Sequence, residues 1–240
     1  MKKNHTTVLG RFIAARCSPE DKFGLHLTQG VLLLLLAAWI FGRIADQVMG
    51  AASGRIQRFD LQVAHYLHAH ATPELTQLML AITHLHGIVG VSVLGLLLGL
   101  YFAWKKAPYW LLTTALAIPG GLLLNVLLKY TFMRARPSFD DAILTLTTYS
   151  FPSGHTAAAT LLYGVIAAYL ACLTPRFGVR AAIVAGAVLM VALVGASRVY
   201  LGVHYASDVL AAIFESCGWL AVCITASSTL RRRRAVKNDR

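Results

Sequence analysis

Charge is the scarcest commodity in this chain. Only 13% of the 240 residues are Asp, Glu, Lys or Arg, against about 25% in a soluble domain. Acidic residues are rarer still, 10 against 22 basic ones. So little charge cannot cover a water-exposed surface, and the 57% hydrophobic content points to a surface that faces lipid. Cysteine is also sparse. Cys17, Cys172, Cys217 and Cys223 form no CxxC pair and no zinc-type Cys/His spacing, which excludes a disulfide scaffold and a zinc site. They read as buried small hydrophobes plus one cytosolic thiol at Cys17. Apart from the Arg231–Arg234 run, the chain has no low-complexity segment and no internal repeat.

The net charge of +12 raises nucleic-acid binding as an option. The basic residues instead cluster between apolar runs and at the ends, with no basic stripe among exposed aromatics, so no nucleic-acid partner is expected. No obligatory protein partner is evident either.

What is present is a set of long apolar runs. Six approach the ~20 residues that cross a bilayer core: Leu27–Ala45, Gly87–Trp104, Tyr109–Leu128, Gly154–Leu173, Ala181–Tyr200 and Val209–Leu230. The first starts too late and runs too long for a cleaved signal, so it reads as a retained anchor. This predicts an all-α integral membrane bundle of six transmembrane helices, a single domain over 1–240. Residues 1–26 form a cytoplasmic N-terminal segment and 231–240 a basic cytoplasmic tail. With both termini in the cytoplasm, fifteen of the 22 basic residues fall on that side, as the positive-inside rule requires. The segment 50–86 mixes Asp60, Glu74 and His65, His68, His70, His84 and His86 with apolar residues, and Pro73 interrupts it. It reads as short interfacial amphipathic helices between the first and second spans. Its histidines lack acidic or cysteine partners at ligand spacing, so no metal is expected there. Asp60 reads as a cap or brace of an interfacial helix.

Three polar clusters sit at helix ends that this topology brings to one face of the membrane. They are Lys129–Pro137, Phe151–His155 and Ser197–Asp208. Lys129, Arg136 and Arg198 offer positive charge, two of them as planar forks that fit phosphate oxygens. Ser153 and Gly154 precede a helix, whose backbone N–H groups and positive end suit an anion. His204 and Asp208 are four apart; on a helix beginning near Val203 they share a face. The carboxylate then holds the imidazole Nδ1–H and leaves Nε2 free to attack. His155 supplies a second titrating group to protonate a leaving oxygen. Arg134 lies between motif positions and reads equally as a second phosphate contact or a bland residue. Glu215, costly in lipid unless paired, either pairs with Arg43 or marks a polar cavity.

Together these residues read Lys-x6-Arg-Pro, Pro-Ser-Gly-His and Ser-Arg-x5-His-x3-Asp, at Lys129…Arg136-Pro137, Pro152-Ser153-Gly154-His155 and Ser197-Arg198…His204…Asp208. In order and spacing they resemble the three-part signature of the type-2 phosphatidic acid phosphatase superfamily, the lipid phosphate phosphatases. The resemblance implies a metal-independent enzyme without cofactor. In it His204 becomes a phosphohistidine, Asp208 orients it, and His155 protonates the leaving group. Lys129, Arg136, Ser153, Gly154 and Arg198 hold the phosphoryl oxygens. Implied substrates are lipid phosphates: phosphatidic acid, phosphatidylglycerol phosphate, undecaprenyl pyrophosphate or a phosphorylated lipid A. The expected location is a bacterial inner membrane with the site facing the periplasm. Rival readings are a lipid phosphotransferase, a vanadate-dependent haloperoxidase sharing the pocket, and a non-catalytic lipid-binding membrane protein.

Overall fold

The computed structural model of the chain describes residues 22–50, 54–140 and 142–238. Among these, every regular element is a helix: α1 Lys22–Met49, α2 Arg55–Ala69, α3 Pro73–Leu85, α4 Ile88–Trp104, α5 Pro108–Phe132, α6 Gly154–Cys172, α7 Phe177–Tyr200 and α8 Ala206–Asn238. In lipid, a helix satisfies its own backbone hydrogen bonds, which is why apolar runs of this length fold this way.

Five helices, α1, α5, α6, α7 and α8, are individually long and apolar enough to cross a bilayer. The sixth run is α4, only 17 residues long. It meets α3 at a 50° bend, and the described residues hold a sixth span only if that bent pair is taken as one. The outer face carries the lipid-facing residues, with Leu32, Leu33 and Trp39 of α1 exposed. α6 sits at the centre. Its Ala158, Leu161 and Leu162 pack with Val91 of α4 and Ile118 of α5. Its Val165 packs with Phe102, Ala117 and Leu220. Small residues such as Ala157, Ala158 and Ala159, all buried, let neighbouring backbones approach, the main source of helix association where lipid is as apolar as leucine.

The segment between the first two spans is built as two helices. Thr72 caps α3, its Oγ1 accepting from Leu75 N at 3.3 Å, and Pro73 occupies the first turn, where its missing N–H costs nothing. α2 turns Phe59, Leu61 and Tyr66 outward and buries Asp60 and Ala64. Its histidines are not equivalent. His68 stacks on Phe139 at 4.2 Å between ring centroids, and His65 meets the same ring edge-on. His86 is buried rather than interfacial. It bridges Ile82 O at 2.8 Å and the Tyr163 hydroxyl at 2.7 Å, tying α3 to α6.

Three expectations change in detail. Cys223 is buried, but Cys172 and Cys217 are exposed, where a soft thiol on a lipid-facing surface costs little. Cys17 lies outside the described residues, as does most of the N-terminal segment. α8 does not stop at Leu230 but carries Arg231–Arg234 on its last turns. Glu215 does not meet Arg43, which is exposed; it accepts from Asn125 Nδ2 at 3.0 Å and borders a cavity of about 220 Å³ with Leu34, Phe41 and Trp219.

Candidate active site

The C-terminal end of α5, the start of α6 and the α7–α8 junction meet at one end of the bundle. Between α5 and α6 the chain runs without regular structure, yet it is pinned back on itself. Ser150 N donates to Arg134 O at 2.9 Å, and Ser150 Oγ donates to Ala135 O at 3.0 Å. These bonds fix the stretch that carries Arg134 and Arg136.

His204 is placed differently from the expectation of a helical position. α8 begins at Ala206, so His204 lies in the turn before it. Gly202 makes that turn possible with φ +72°, a left-handed conformation that side chains other than glycine rarely take. The His204–Asp208 contact survives because Asp208 reaches backward. Its Oδ2 accepts from Tyr205 N at 3.0 Å, in the manner of an acidic N3 residue capping its own helix. The same oxygen lies 3.3 Å from His204 Nδ1. Both side chains are buried, at 2% and 0% exposure.

On the other side of the ring, Arg136 Nη1 donates to His204 Nε2 at 3.2 Å. Nε2 is then an acceptor and Nδ1 carries the proton toward Asp208. Burial pushes His204 down to about 3, with Arg136 and Lys129 adding to the burial effect and the Asp208 hydrogen bond opposing it. At neutral pH the imidazole is uncharged, with its Nε2 lone pair accepting from Arg136.

Arg136 is held by protein groups on all sides: Thr148 O at 2.6 Å, Val203 O at 2.6 Å, Thr148 Oγ1 at 2.9 Å and Tyr149 O at 3.0 Å. Its pKa is lowered by burial, with Asp208 opposing. Of its five N–H donors, the one on His204 Nε2 is the one a phosphate oxygen can claim without breaking this frame. Lys129 Nζ donates to Tyr149 O at 2.9 Å and Ser150 O at 3.3 Å, leaving one ammonium proton. Arg198 is 2% exposed. Its Nη1 donates to Thr83 Oγ1 of α3, while its buried Nε has no partner. An orphaned buried donor on a guanidinium is costly unless a ligand completes it.

Ser153 is fully buried. Its N–H donates to Asp208 O at 3.1 Å, and its Oγ accepts from Thr156 at 3.0 Å. The first-turn N–H groups that follow have no intrahelical partners. At Gly154 a Cβ would stand 3.4 Å from Asn125 Oδ1 and 3.9 Å from Lys129 Cε, so glycine keeps that helix start open beside the lysine. His155 follows Gly154 in the first turn of α6, its Nε2 3.6 Å from where a Gly87 Cβ would be. It is within electrostatic reach of Arg198, His204, His86 and Lys129.

All eight residues singled out from the sequence therefore gather at one end of the bundle. Four others join them, Thr83 and Asn125 not singled out from the sequence, Arg134 and Asp60 in a role the sequence did not suggest. Thr83 anchors Arg198, and Asn125 links Glu215 to the α6 start. Arg134 and Asp60 bind Asp208 from behind. Arg134 donates to Asp208 Oδ1 at 2.5 Å and to Asp60 Oδ2 at 2.8 Å, so it faces away from the phosphate pocket and is not a second phosphate contact. Asn125 had a usable signal, lying one helical turn before Lys129 on the same face; Thr83 had none.

The fold and this pocket define a polytopic membrane protein whose cationic cluster converges on a His–Asp pair. The model of the PAP2 superfamily matches residues 108–232, and the chain belongs to that family. It is 36% identical over 141 residues to phosphatidylglycerophosphatase B of Bacillus subtilis strain 168, covering 58% of this chain and 68% of that one. It is 36% identical over 132 residues to lipid A 1-phosphatase of Rhizobium etli, covering 51% of this chain and 50% of that one. The crystal structure of a transmembrane PAP2-type phosphatidylglycerolphosphate phosphatase from Bacillus subtilis superposes with a TM-score of 0.70 at 29% identity, covering 83% of this chain and 96% of the other.

Proposed function

We propose that this protein is a membrane lipid phosphatase that hydrolyses phosphomonoester or pyrophosphate groups of lipids through a phosphohistidine at His204. The observation that carries this reading is the placement of the His204 ring between Asp208 and Arg136. Its Nδ1–H is committed to Asp208 and its Nε2 lone pair faces Arg136.

The chemistry balances with these groups alone. A phosphoryl group enters with its oxygens on Arg198, Lys129 and the first turn of α6. Arg136 transfers its Nη1 hydrogen bond from His204 Nε2 to a phosphoryl oxygen. Nε2 attacks phosphorus in line with the lipid oxygen, and the P–O bond breaks. His155 donates a proton to that oxygen. The new N–P bond makes the ring cationic, and Asp208 stabilises it through Nδ1–H. Water then attacks phosphorus and gives a proton to His155, the N–P bond breaks, and phosphate leaves. The cations stabilise charge that grows on the phosphoryl oxygens, the usual route in phosphoryl transfer. No step calls for a metal.

The pocket opens at the end of the bundle, opposite Lys105, Lys106, Arg176, Arg180 and Arg231–Arg234. By the positive-inside rule those residues face the cytoplasm, with both termini, and the pocket faces the periplasm of a bacterial inner membrane. A site at that depth suits an amphiphile whose phosphate sits in the headgroup layer. Phosphatidylglycerol phosphate is the first substrate to offer, on the strength of the Bacillus relative, followed by lipid A phosphate, phosphatidic acid and undecaprenyl pyrophosphate.

The test is phosphate release by purified, detergent-solubilised protein in EDTA, with His204→Ala alongside. Release by the wild type, lost in the variant, supports the reading. Release that needs added divalent metal overturns the metal-free mechanism. No release from any lipid overturns the hydrolase.

A further inference from the structure

Behind Asp208 lies a buried charge relay that the three-part signature does not contain. Asp60, on α2, is fully buried. It accepts from Arg134 Nη2 at 2.8 Å, from Ser207 N at 3.0 Å and from the Ser207 hydroxyl. Arg134 Nη1 donates in turn to Asp208 Oδ1 at 2.5 Å and to Ser207 Oγ at 2.8 Å. Its guanidinium lies over the Tyr205 ring at 4.1 Å. Asp208 Oδ2 faces His204. The order is thus Asp60, Arg134, Asp208, His204, joined by direct contacts. Asp60 and Asp208 are wholly buried, and Arg134 is 11% exposed.

We infer that Asp60 and Arg134 are positioning residues for the His204 reaction. Arg134 fixes the Asp208 carboxylate, and Asp60 cancels the charge Arg134 brings. The inference rests on the phosphatase reading. Charge counting shows why both are needed. An arginine alone beside Asp208 would neutralise the carboxylate, which then could not stabilise a phosphorylated, cationic ring. With Asp60 present the three groups sum to one negative charge, and Arg134 supplies orientation without removing it. Asp60 comes from the segment 50–86, outside the matched residues 108–232. The helices between the first two spans therefore contribute to the reaction centre as well as covering it.

Full-length Asp60→Asn, Arg134→Gln and the double variant are purified in detergent and assayed for kcat and KM on the lipid the wild type hydrolyses. Size-exclusion profile and thermal midpoint are recorded for each. Asp60→Asn keeps the shape and the Ser207 N acceptor but leaves the charge of Arg134 uncancelled. It is expected to lower kcat by roughly 10- to 100-fold, as loss of a partner that orients a metal ligand does, with KM nearly unchanged. Arg134→Gln leaves two buried carboxylates facing each other, and kcat falls as well. The double variant restores one negative charge and is expected to recover part of the kcat lost in Asp60→Asn while staying below wild type, because Arg134 no longer orients Asp208. Additive losses, or wild-type kcat in Asp60→Asn, overturn the inference. If Asp60→Asn does not fold, the double variant decides, since it removes both charges together; a folded double variant with wild-type kcat overturns the inference. A wild type silent on every lipid refutes the phosphatase reading itself, and an active wild type with an unaffected Asp60→Asn refutes only the relay.

Discussion

Asp208→Asn isolates what the carboxylate does. Asp208 Oδ1 accepts from Arg134 at 2.5 Å. Oδ2 accepts from Tyr205 N at 3.0 Å and faces His204 Nδ1 at 3.3 Å. All these partners are donors, and an amide has only one acceptor oxygen. If the amide oxygen turns to Arg134, the NH₂ confronts the Tyr205 N–H and drives His204 to the tautomer protonated on Nε2. The attacking lone pair is then lost. If the oxygen turns to His204, the NH₂ confronts a guanidinium in a buried site. The charge that stabilises the phosphorylated ring is gone in both cases. A wrong tautomer of this kind in a His–Asp pair costs about 10³- to 10⁴-fold in kcat, roughly 4–5.5 kcal/mol of transition-state stabilisation. The phosphate cradle of Lys129, Arg136 and Arg198 is untouched, so KM is expected to stay within about threefold. The assay is steady-state phosphate release together with single-turnover phosphoenzyme formation. A kcat within about fivefold of wild type, or an effect confined to KM, would refute the assignment of Asp208 as the group that orients His204.

Other consequences are open to direct measurement. Burial holds His204 at about 3, below its unfolded value of about 6.5. Folding therefore favours the neutral ring, and this contribution is fully present above pH 6.5 and lost as pH falls from 6.5 toward 3. The thermal midpoint of His204→Gln should fall less steeply than that of the wild type over that window; parallel curves would show that His204 is not held neutral by the fold. Thr83→Val removes the acceptor of Arg198 Nη1 and leaves a second unsatisfied donor on a buried guanidinium. It should destabilise the protein by about 1–3 kcal/mol and alter inhibition by inorganic phosphate, read from the thermal midpoint and the inhibition constant; wild-type values for both would exclude Thr83 from the site. Glu215→Gln retains the acceptor for Asn125 Nδ2 and removes a buried carboxyl, so turnover should stay within about threefold. A much larger loss, read from kcat, would make the Glu215 carboxyl part of the reaction.

Much of this was legible in the sequence, for reasons that differ by residue. The spans show because apolar runs near 20 residues have one stable fold in lipid. The eight pocket residues show because they recur at fixed spacing at helix ends. Helix rotation did not show. α5 and α8 are apolar almost all round, so nothing in their pattern says that Glu215 meets Asn125 rather than Arg43. The Asp60–Arg134 pair is hidden for another reason. The two lie 74 positions apart; Asp60 alone reads as a helix cap or brace and Arg134 alone as a phosphate contact, so nothing pairs them. His204 was expected on a helix but stands before one, because Gly202 turns the chain and Asp208 caps the helix from within.

The mechanism turns on a covalent bond from His204 Nε2 to phosphorus. The most direct measurement is a rapid quench of the enzyme with ³²P-labelled lipid phosphate, followed by peptide mapping of the labelled protein. The account predicts an acid-labile, base-stable label on the peptide bearing His204, formed and discharged at rates that support kcat and absent from His204→Ala. Label on a different residue, or steady phosphate release by His204→Ala, would contradict it.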